Sequence, residues 1–225
     1  FHRTESFLSK GPTSSTITNI WRRKSSASDV IDLDDGSFCI AVLGDLHLDP
    51  KNMAAHLEAR EHIINHMGSE SFLSETKNTH LISLGDLGGY KANPGTSKCF
   101  EHAKDYLEGF EVGFSVVAGN HDLEGLAEFE SDAENMRRFM EIFDMKKPYW
   151  AKILAKDVLM VGLSTTQFRD APYSSHEVYI DEEQRDWFEG ICREHSAENN
   201  WKILVFTHAP PLGSDLRVVQ YISPN

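Results

Sequence analysis

Phe114-Ser115-Val116-Val117-Ala118-Gly119-Asn120-His121-Asp122 passes from an uncharged, valine-rich run through one glycine into three side chains that can hold a metal or move a proton. The run reads as a buried strand of a parallel sheet, closed by a turn. The same arrangement occurs three more times. Phe38-Cys39-Ile40-Ala41-Val42-Leu43 leads into Gly44-Asp45-Leu46-His47, Leu81-Ile82-Ser83-Leu84 into Gly85-Asp86, and Ile203-Leu204-Val205-Phe206 into Thr207-His208. In open α/β sheets, ligands sit in the crevice beyond the carboxyl ends of the strands. Asp45, His47, Asp86, Asn120 and His208 are therefore expected along one sheet edge. Carboxylate, amide and imidazole without thiolate form a donor set for hard to intermediate metal ions.

Between these strands the periodicity predicts helices over 51–67, with Asp49-Pro50 as its start and Met53, Leu57, Ile64 and Met67 as its apolar set, and over 97–109, with Cys99, Phe100, Ala103 and Leu107 on one side. A long helical pattern covers 124–145, with Leu126, Phe129, Met136, Phe139, Met140 and Phe143 apolar and Pro148 as its stop. Residues 149–154 and 158–163 read as a hairpin-type pair. Asp181 caps a helix over 182–194 that turns Trp187, Phe188 and Ile191 inward, and the last strand spans 202–207. Strand and helix alternate three times, then two strands, then helix and strand, an order that gives α/β layers.

Composition narrows the class. The 225 residues suffice for one large α/β domain or a domain and a half, and no stretch of about 18 apolar residues offers a membrane span. Cys39, Cys99 and Cys192 are odd in number and widely spaced, which disfavours a disulfide framework and favours a reducing compartment. The net charge of −13 argues against a sequence-independent nucleic-acid footprint, although a local cationic metal site could still take an anionic substrate. Residues 1–28 carry Arg3, Lys10, Arg22, Arg23 and Lys24 against Glu5 alone, a net +4, which leaves −17 on the remainder. Basic, rich in Ser and Thr and poor in acid, this segment has the composition of an organelle transit peptide or of an untargeted tail. The expectation is a soluble intracellular protein, plastid-directed (or sent to another organelle) if the tail is a transit peptide. Because the sequence opens on Phe1, its true N-terminus is expected upstream.

Residues i and i+2 of an extended segment face the same side, so Asp45 and His47 can grip one ion together. Asp86 can bridge two ions, and Asn120 and His208 are natural ligands of the second. The neutral amide keeps the site net cationic and receptive to phosphate. Two metals about 3.5–4 Å apart can clamp a phosphoryl group and generate a hydroxide nucleophile near neutral pH. His121 faces the substrate and suits a general acid for the leaving alkoxide. Asp122 is expected to hydrogen-bond His121 and fix its ring.

Gly44-Asp45-Leu46-His47, Gly85-Asp86, Gly119-Asn120-His121-Asp122 and Thr207-His208-Ala209-Pro210-Pro211 together resemble the calcineurin-like metallophosphoesterase superfamily over roughly residues 36–215. The resemblance implies an α/β fold of two facing mixed β-sheets flanked by helices, a four-layer sandwich, behind a 1–35 tail. It implies a dinuclear centre, with Asp45 and His47 on the first metal, Asp86 bridging, and Asn120 and His208 on the second; the donor types suit divalent Mn, Fe, Zn or Mg. It implies His121 as the acid on the substrate side; the expected activity is hydrolysis of a phosphomonoester or phosphodiester by a metal-bound hydroxide, on a small-molecule or phosphoprotein substrate. The family also has a Gly-His-x-His motif, whose histidines complete both metal shells and which these residues lack. The simplest expectation is that the domain, 36–225, is truncated at its C-terminus. Otherwise the protein is a metal-binding scaffold with an impaired site.

Other polar groups have plainer readings. His62 and His66, beside His56, form a solvated helix face or a further metal site. His80 and His176 are structural or exposed. The acids Asp122, Glu124, Glu128, Glu130, Asp132 and Glu134 read as a solvated helix face. Arg169 is a surface residue or a substrate-phosphate contact. Tyr173, Tyr179 and Trp150 are packing residues. Specificity belongs to the loops 88–96 and 165–180. A nuclease on this core is disfavoured by the acidic balance and the lack of a basic groove.

Overall fold

Three short, largely apolar segments build the first sheet. In the computed structural model, which describes residues 36–67, 78–89, 91, 93–171 and 174–211, β1 (Cys39–Leu43) pairs in parallel with β2 (Thr79–Ser83), and β2 with β3 (Phe114–Val116). Parallel neighbours need a crossover. Helix α1 (Ala54–Met67) supplies it between β1 and β2, and α2 (Ser97–Glu108) between β2 and β3. The second sheet begins with a hairpin. β4 (Trp150–Ala155) runs antiparallel to β5 (Val158–Leu163), and Asp157 in the tight turn takes φ 57°. After α4 (Glu182–Glu194), β6 (Lys202–Thr207) returns parallel to β5. The tail 1–35 lies outside the described residues.

Side-chain alternation stacks these parts into four layers. One face of the first sheet buries Leu81 and Val116 against Phe100, Ala103 and Leu107 of α2 and Met136 and Phe139 of α3 (Asp132–Ile142). Phe100 and Phe139 meet edge to face at 5.2 Å and 89°, a favoured aromatic geometry. The other face meets the second sheet through Ile82, Leu154, Val158 and Met160, with Ile40, Leu204 and Phe206 around them. The Trp150 indole N–H donates to the Val116 carbonyl at 2.7 Å, so Trp150 packs between the sheets as its sequence context suggests. Trp187, Phe188 and Ile191 of α4 cover Leu159, Val161 and Leu163 on the far side. The four-layer sandwich is therefore present, its first sheet parallel among the described residues and its second mixed.

Two helix expectations need correction. The pattern over 124–145 yields a 3-10 turn at His121–Leu123 and a helix only over Asp132–Ile142. Ser131 caps that helix by accepting from Glu134 N–H, and tertiary bonds hold the stretch before it irregular: Gly125 N–H donates to Asn135 Oδ1 at 2.9 Å, and Asn135 Nδ2 donates to Gly95 O at 2.7 Å. Leu126, assigned to the apolar stripe, is 44% exposed. Likewise α1 starts at Ala54, because Asp49 spends its side chain on Lys51 N–H in a local turn. Met53 just before it and Ile63 within it pack against the core, Arg60 donates to Tyr106 O and the Tyr106 hydroxyl to His56 O, and Leu57 and Ile64 are exposed.

His80 Nε2 lies 3.0 Å from Ser115 Oγ, and burial, aided by Lys152, pushes the imidazole down to about 3. An unfolded histidine takes up a proton near pH 6.5. The unfolded state therefore binds the extra proton between about pH 6.5 and 3, and this residue lowers stability as pH falls through that window. The cost is on the order of 2 kcal/mol between pH 7 and 5. Urea unfolding at the two pH values is expected to show a smaller loss for His80→Gln than for the parent; equal losses contradict the assignment. Phe100→Ala is expected to cost about 3–5 kcal/mol in the same assay, as the deletion of a fully buried aromatic ring does.

Candidate metal centre

The turns behind β1, β2 and β3 all open at the carboxyl edge of one parallel sheet, and His208 reaches it from the end of β6. Two glycines allow the turns to cross. Gly85 sits at φ 99°, and a Cβ there would collide with the backbone of Gly119, while a Cβ on Gly119 would strike the Asp86 carboxylate. The turn after β1 pairs with the turn after β2: His47 N–H donates to Asp86 O at 2.8 Å and Leu48 N–H to Leu87 O at 2.9 Å. His47 and Asp86 themselves take φ 43° and 49°, a left-handed conformation that non-glycine residues adopt at a cost.

Asp122, fully buried, ties the turns together. Its Oδ2 accepts from Asp86 N–H at 2.9 Å and Gly119 N–H at 2.8 Å, and its Oδ1 from Leu87 N–H at 2.9 Å. Burial pushes its carboxyl up to about 7, and the Gly119 and Leu87 N–H donors oppose that rise. Asp86 is buried beside it, with Oδ1 accepting from His121 N–H at 2.9 Å.

Donor atoms converge in two groups that share Asp86. His47, Asp86 and His121 form one and Asp45, Asp86 and His208 the other, each with its donor atoms within 4.8 Å of one another. Asp86 Oδ2 lies 3.9 Å from His47 Nε2 and 4.0 Å from His121 Nε2, while Oδ1 lies 3.7 Å from His208 Nε2. Asn120 joins the second group, its Oδ1 3.1 Å from His208 Nε2. His208 Nδ1 is held by Leu84 O at 2.9 Å and sits 3.9 Å from Asp45 Oδ1. All five residues singled out as ligands thus meet at one edge. Asp45 and His47, expected to share an ion, fall in different groups of converging donor atoms. The left-handed turn at His47 breaks the extended geometry in which i and i+2 share a side, and sends the two side chains to different groups.

The donors fit divalent ions. They are carboxylate, amide and imidazole with no thiolate, one carboxylate stands between two histidine groups, and two buried aspartates lie close enough for Asp86 to raise the Asp122 carboxyl. Among the described residues no other cluster of three such side chains forms. His56 packs edge-on against Tyr106 and His62 is exposed, so they belong to a helix surface; the His66 side chain lies outside the described residues.

The partner of His121 differs from expectation. Its Nδ1 lies 2.7 Å from Glu124 Oε2, whereas the Asp122 oxygens are taken by backbone N–H groups. In a 3-10 turn side chains at i and i+3 eclipse, which brings Glu124 over His121 and points Asp122 elsewhere. Glu124 was hidden in the acidic run, and only foreknowledge of the 3-10 turn would have singled it out. The Glu124 bond raises the His121 imidazole, against the effect of burial and with help from Asp86. Burial raises the Glu124 carboxyl, but the bond and charge of His121 bring it below its usual range.

Other assignments also shift. Arg169 is neither on the surface nor free for phosphate. Its buried guanidinium pairs with buried Asp132, and its Nη2 donates to Leu123 O at 2.6 Å. Asp132 also accepts from Arg169 N–H at 2.7 Å and lies 3.1 Å from His176 Nε2, so His176 is structural. Asp122, Glu124 and Asp132 thereby leave the supposed solvated face. Tyr179 is 50% exposed and packs little; Tyr173 lies outside the described residues. A cleft of about 470 Å3 opens on the first group, lined by His47, Asp49, Gly89, Lys91 and His121.

No curated protein matches the chain. The family model for calcineurin-like phosphoesterases matches residues 39–222, a span that takes in both donor groups, Glu124 and the cleft. The chain belongs to the calcineurin-like phosphoesterase family.

Proposed function

We propose that this protein hydrolyses phosphate esters at a dinuclear centre in which Asp86 bridges two divalent ions. The observation that carries this reading is the sharing of Asp86: its two oxygens face different histidine groups at 3.7–4.0 Å. His47 and Asp86 would hold an ion on the cleft side, and Asp86, Asp45, Asn120 and His208 would hold the other. Bound ions supply Lewis-acid activation of the phosphoryl group and of water. The donor set suits Mn, Fe, Zn or Mg.

The chain's own residues do the rest. The cleft admits the ester beside His121, and Lys91 on its wall suits the non-bridging phosphate oxygens. Water adds to phosphorus, the P–O bond to the leaving group breaks, and the leaving oxygen takes the proton on His121 Nε2. The proton of the attacking water goes to solvent, which later reprotonates His121. Asp122, bonded to three backbone N–H groups, shapes the turns without touching the reacting atoms. A small-molecule ester or a phosphoprotein fits an open cleft on an acidic protein better than a nucleic acid does. No helix among the described residues is long and apolar enough to cross a membrane.

Hydrolysis of an aryl phosphate is expected to vanish on chelation and return with Mn²⁺. Equal rates before and after chelation exclude the dinuclear reading, and metal uptake without turnover supports a scaffold instead. Asp86→Asn is expected to lose bound metal and at least about 100-fold in rate, since it strips charge from both groups, while His62→Ala keeps both. His208→Ala should lose metal with rate. His121→Ala should keep metal and lose roughly 10²–10⁴-fold, most on poor leaving groups. Metal analysis beside rates on aryl and alkyl phosphates separates these cases.

A further inference from the structure

We propose that Glu124 is the positioning residue of His121, holding the ring by Nδ1 so that Nε2 faces Asp86 and the cleft. The inference deepens the hydrolase reading and rests on it for the role of His121. It starts from a contact that no sequence motif announced: Glu124 Oε2 at 2.7 Å from His121 Nδ1. A carboxylate only accepts, so Nδ1 must carry a proton toward it, and the ring cannot flip without losing that bond. The orientation left is the observed one, with Nε2 4.0 Å from Asp86 Oδ2 and the ring edge-on to His47 at a centroid distance of 5.4 Å.

Glu124 is itself braced. It lies at the end of the 3-10 turn His121–Leu123, and the Leu123 carbonyl within that turn accepts from Arg169 Nη2 at 2.6 Å. Arg169 is locked by its buried pairing with Asp132, which also caps the contact with His176 from the same loop. The 165–180 loop, where substrate selection is expected, thus grips the turn that carries both the acid and its positioning carboxylate. Glu124 is 29% exposed at its side chain and His121 14%, so the pair sits at the cleft wall, where an unbraced ring would be free to turn.

The test uses the purified protein with Glu124→Ala and Glu124→Gln. Nitrogen NMR of the histidine rings should show the His121 proton on Nδ1 in the parent, its bonded proton signal lost in Glu124→Ala and largely kept in Glu124→Gln, whose amide oxygen still accepts. In the Mn²⁺-loaded protein, Glu124→Ala should lose about 10- to 100-fold in kcat on an alkyl phosphate, much less on a nitrophenyl phosphate, with KM and metal content unchanged. Glu124→Gln should recover part of the loss. An unchanged Nδ1 signal in Glu124→Ala, equal losses on both substrates, or lost metal would overturn the proposal. A parent with no metal-dependent hydrolysis would defeat the hydrolase reading alone, because the ring signal still decides whether Glu124 holds His121.

Discussion

The site depends on one buried carboxylate. Asp122 gathers the N–H groups of Asp86, Leu87 and Gly119, and so clamps the turn after β2 to the turn after β3. A carboxylate withdrawn from water is costly unless hydrogen bonds replace its hydration, and three backbone donors do so here. The bonds work in the other direction too. They satisfy N–H groups that the crossing of two turns removes from any sheet ladder. Because Gly85 and Gly119 let the backbones touch, the clamp is short, and Asp86 has little freedom in where it points.

From that fixed point the chemistry follows outward. Asp86 is held in a left-handed conformation, its amide bonded to Asp122 and its carbonyl to His47 N–H. Strain of this kind persists only where the surroundings over-determine it, and it clusters at sites whose geometry must be ready before a ligand arrives. His208, anchored by Leu84 O, comes from the second sheet to the other oxygen of Asp86, so the site also records how the two sheets face each other. The apolar contacts between the sheets, Ile82 against Leu154, Val158 and Met160, are therefore part of what sets the separation of the two donor groups.

Much of this was legible in the sequence because the strands advertise themselves: apolar runs closed by glycine and an acid or histidine. The hairpin, the α4 cap at Asp181 and the strand 202–207 emerged where pattern and turn chemistry agreed. What failed did so where local rules met a local exception. The i, i+2 rule places Asp45 and His47 on one side of an extended strand, whereas φ 43° at His47 goes with side chains in different donor groups. Helical periodicity extended α3 back to 124, but a 3-10 turn and the Asn135 bonds to Gly95 and Gly125 claim that stretch. Neighbours in sequence suggested Asp122 for His121, and eclipsed side chains gave Glu124 instead. Arg169 and Asp132 lie 37 residues apart, and no periodicity relates them.

The central claim is that Asp86 stands between two metal ions. Crystals of the protein grown with Mn²⁺, measured at wavelengths on both sides of the manganese absorption edge, test it without reference to any substrate. The account predicts two anomalous peaks about 3.5–4 Å apart, one beside each oxygen of Asp86, with His47 near the first and His208 and Asn120 near the second. A single peak, or two peaks with Asp86 bound to neither or to only one, would contradict it.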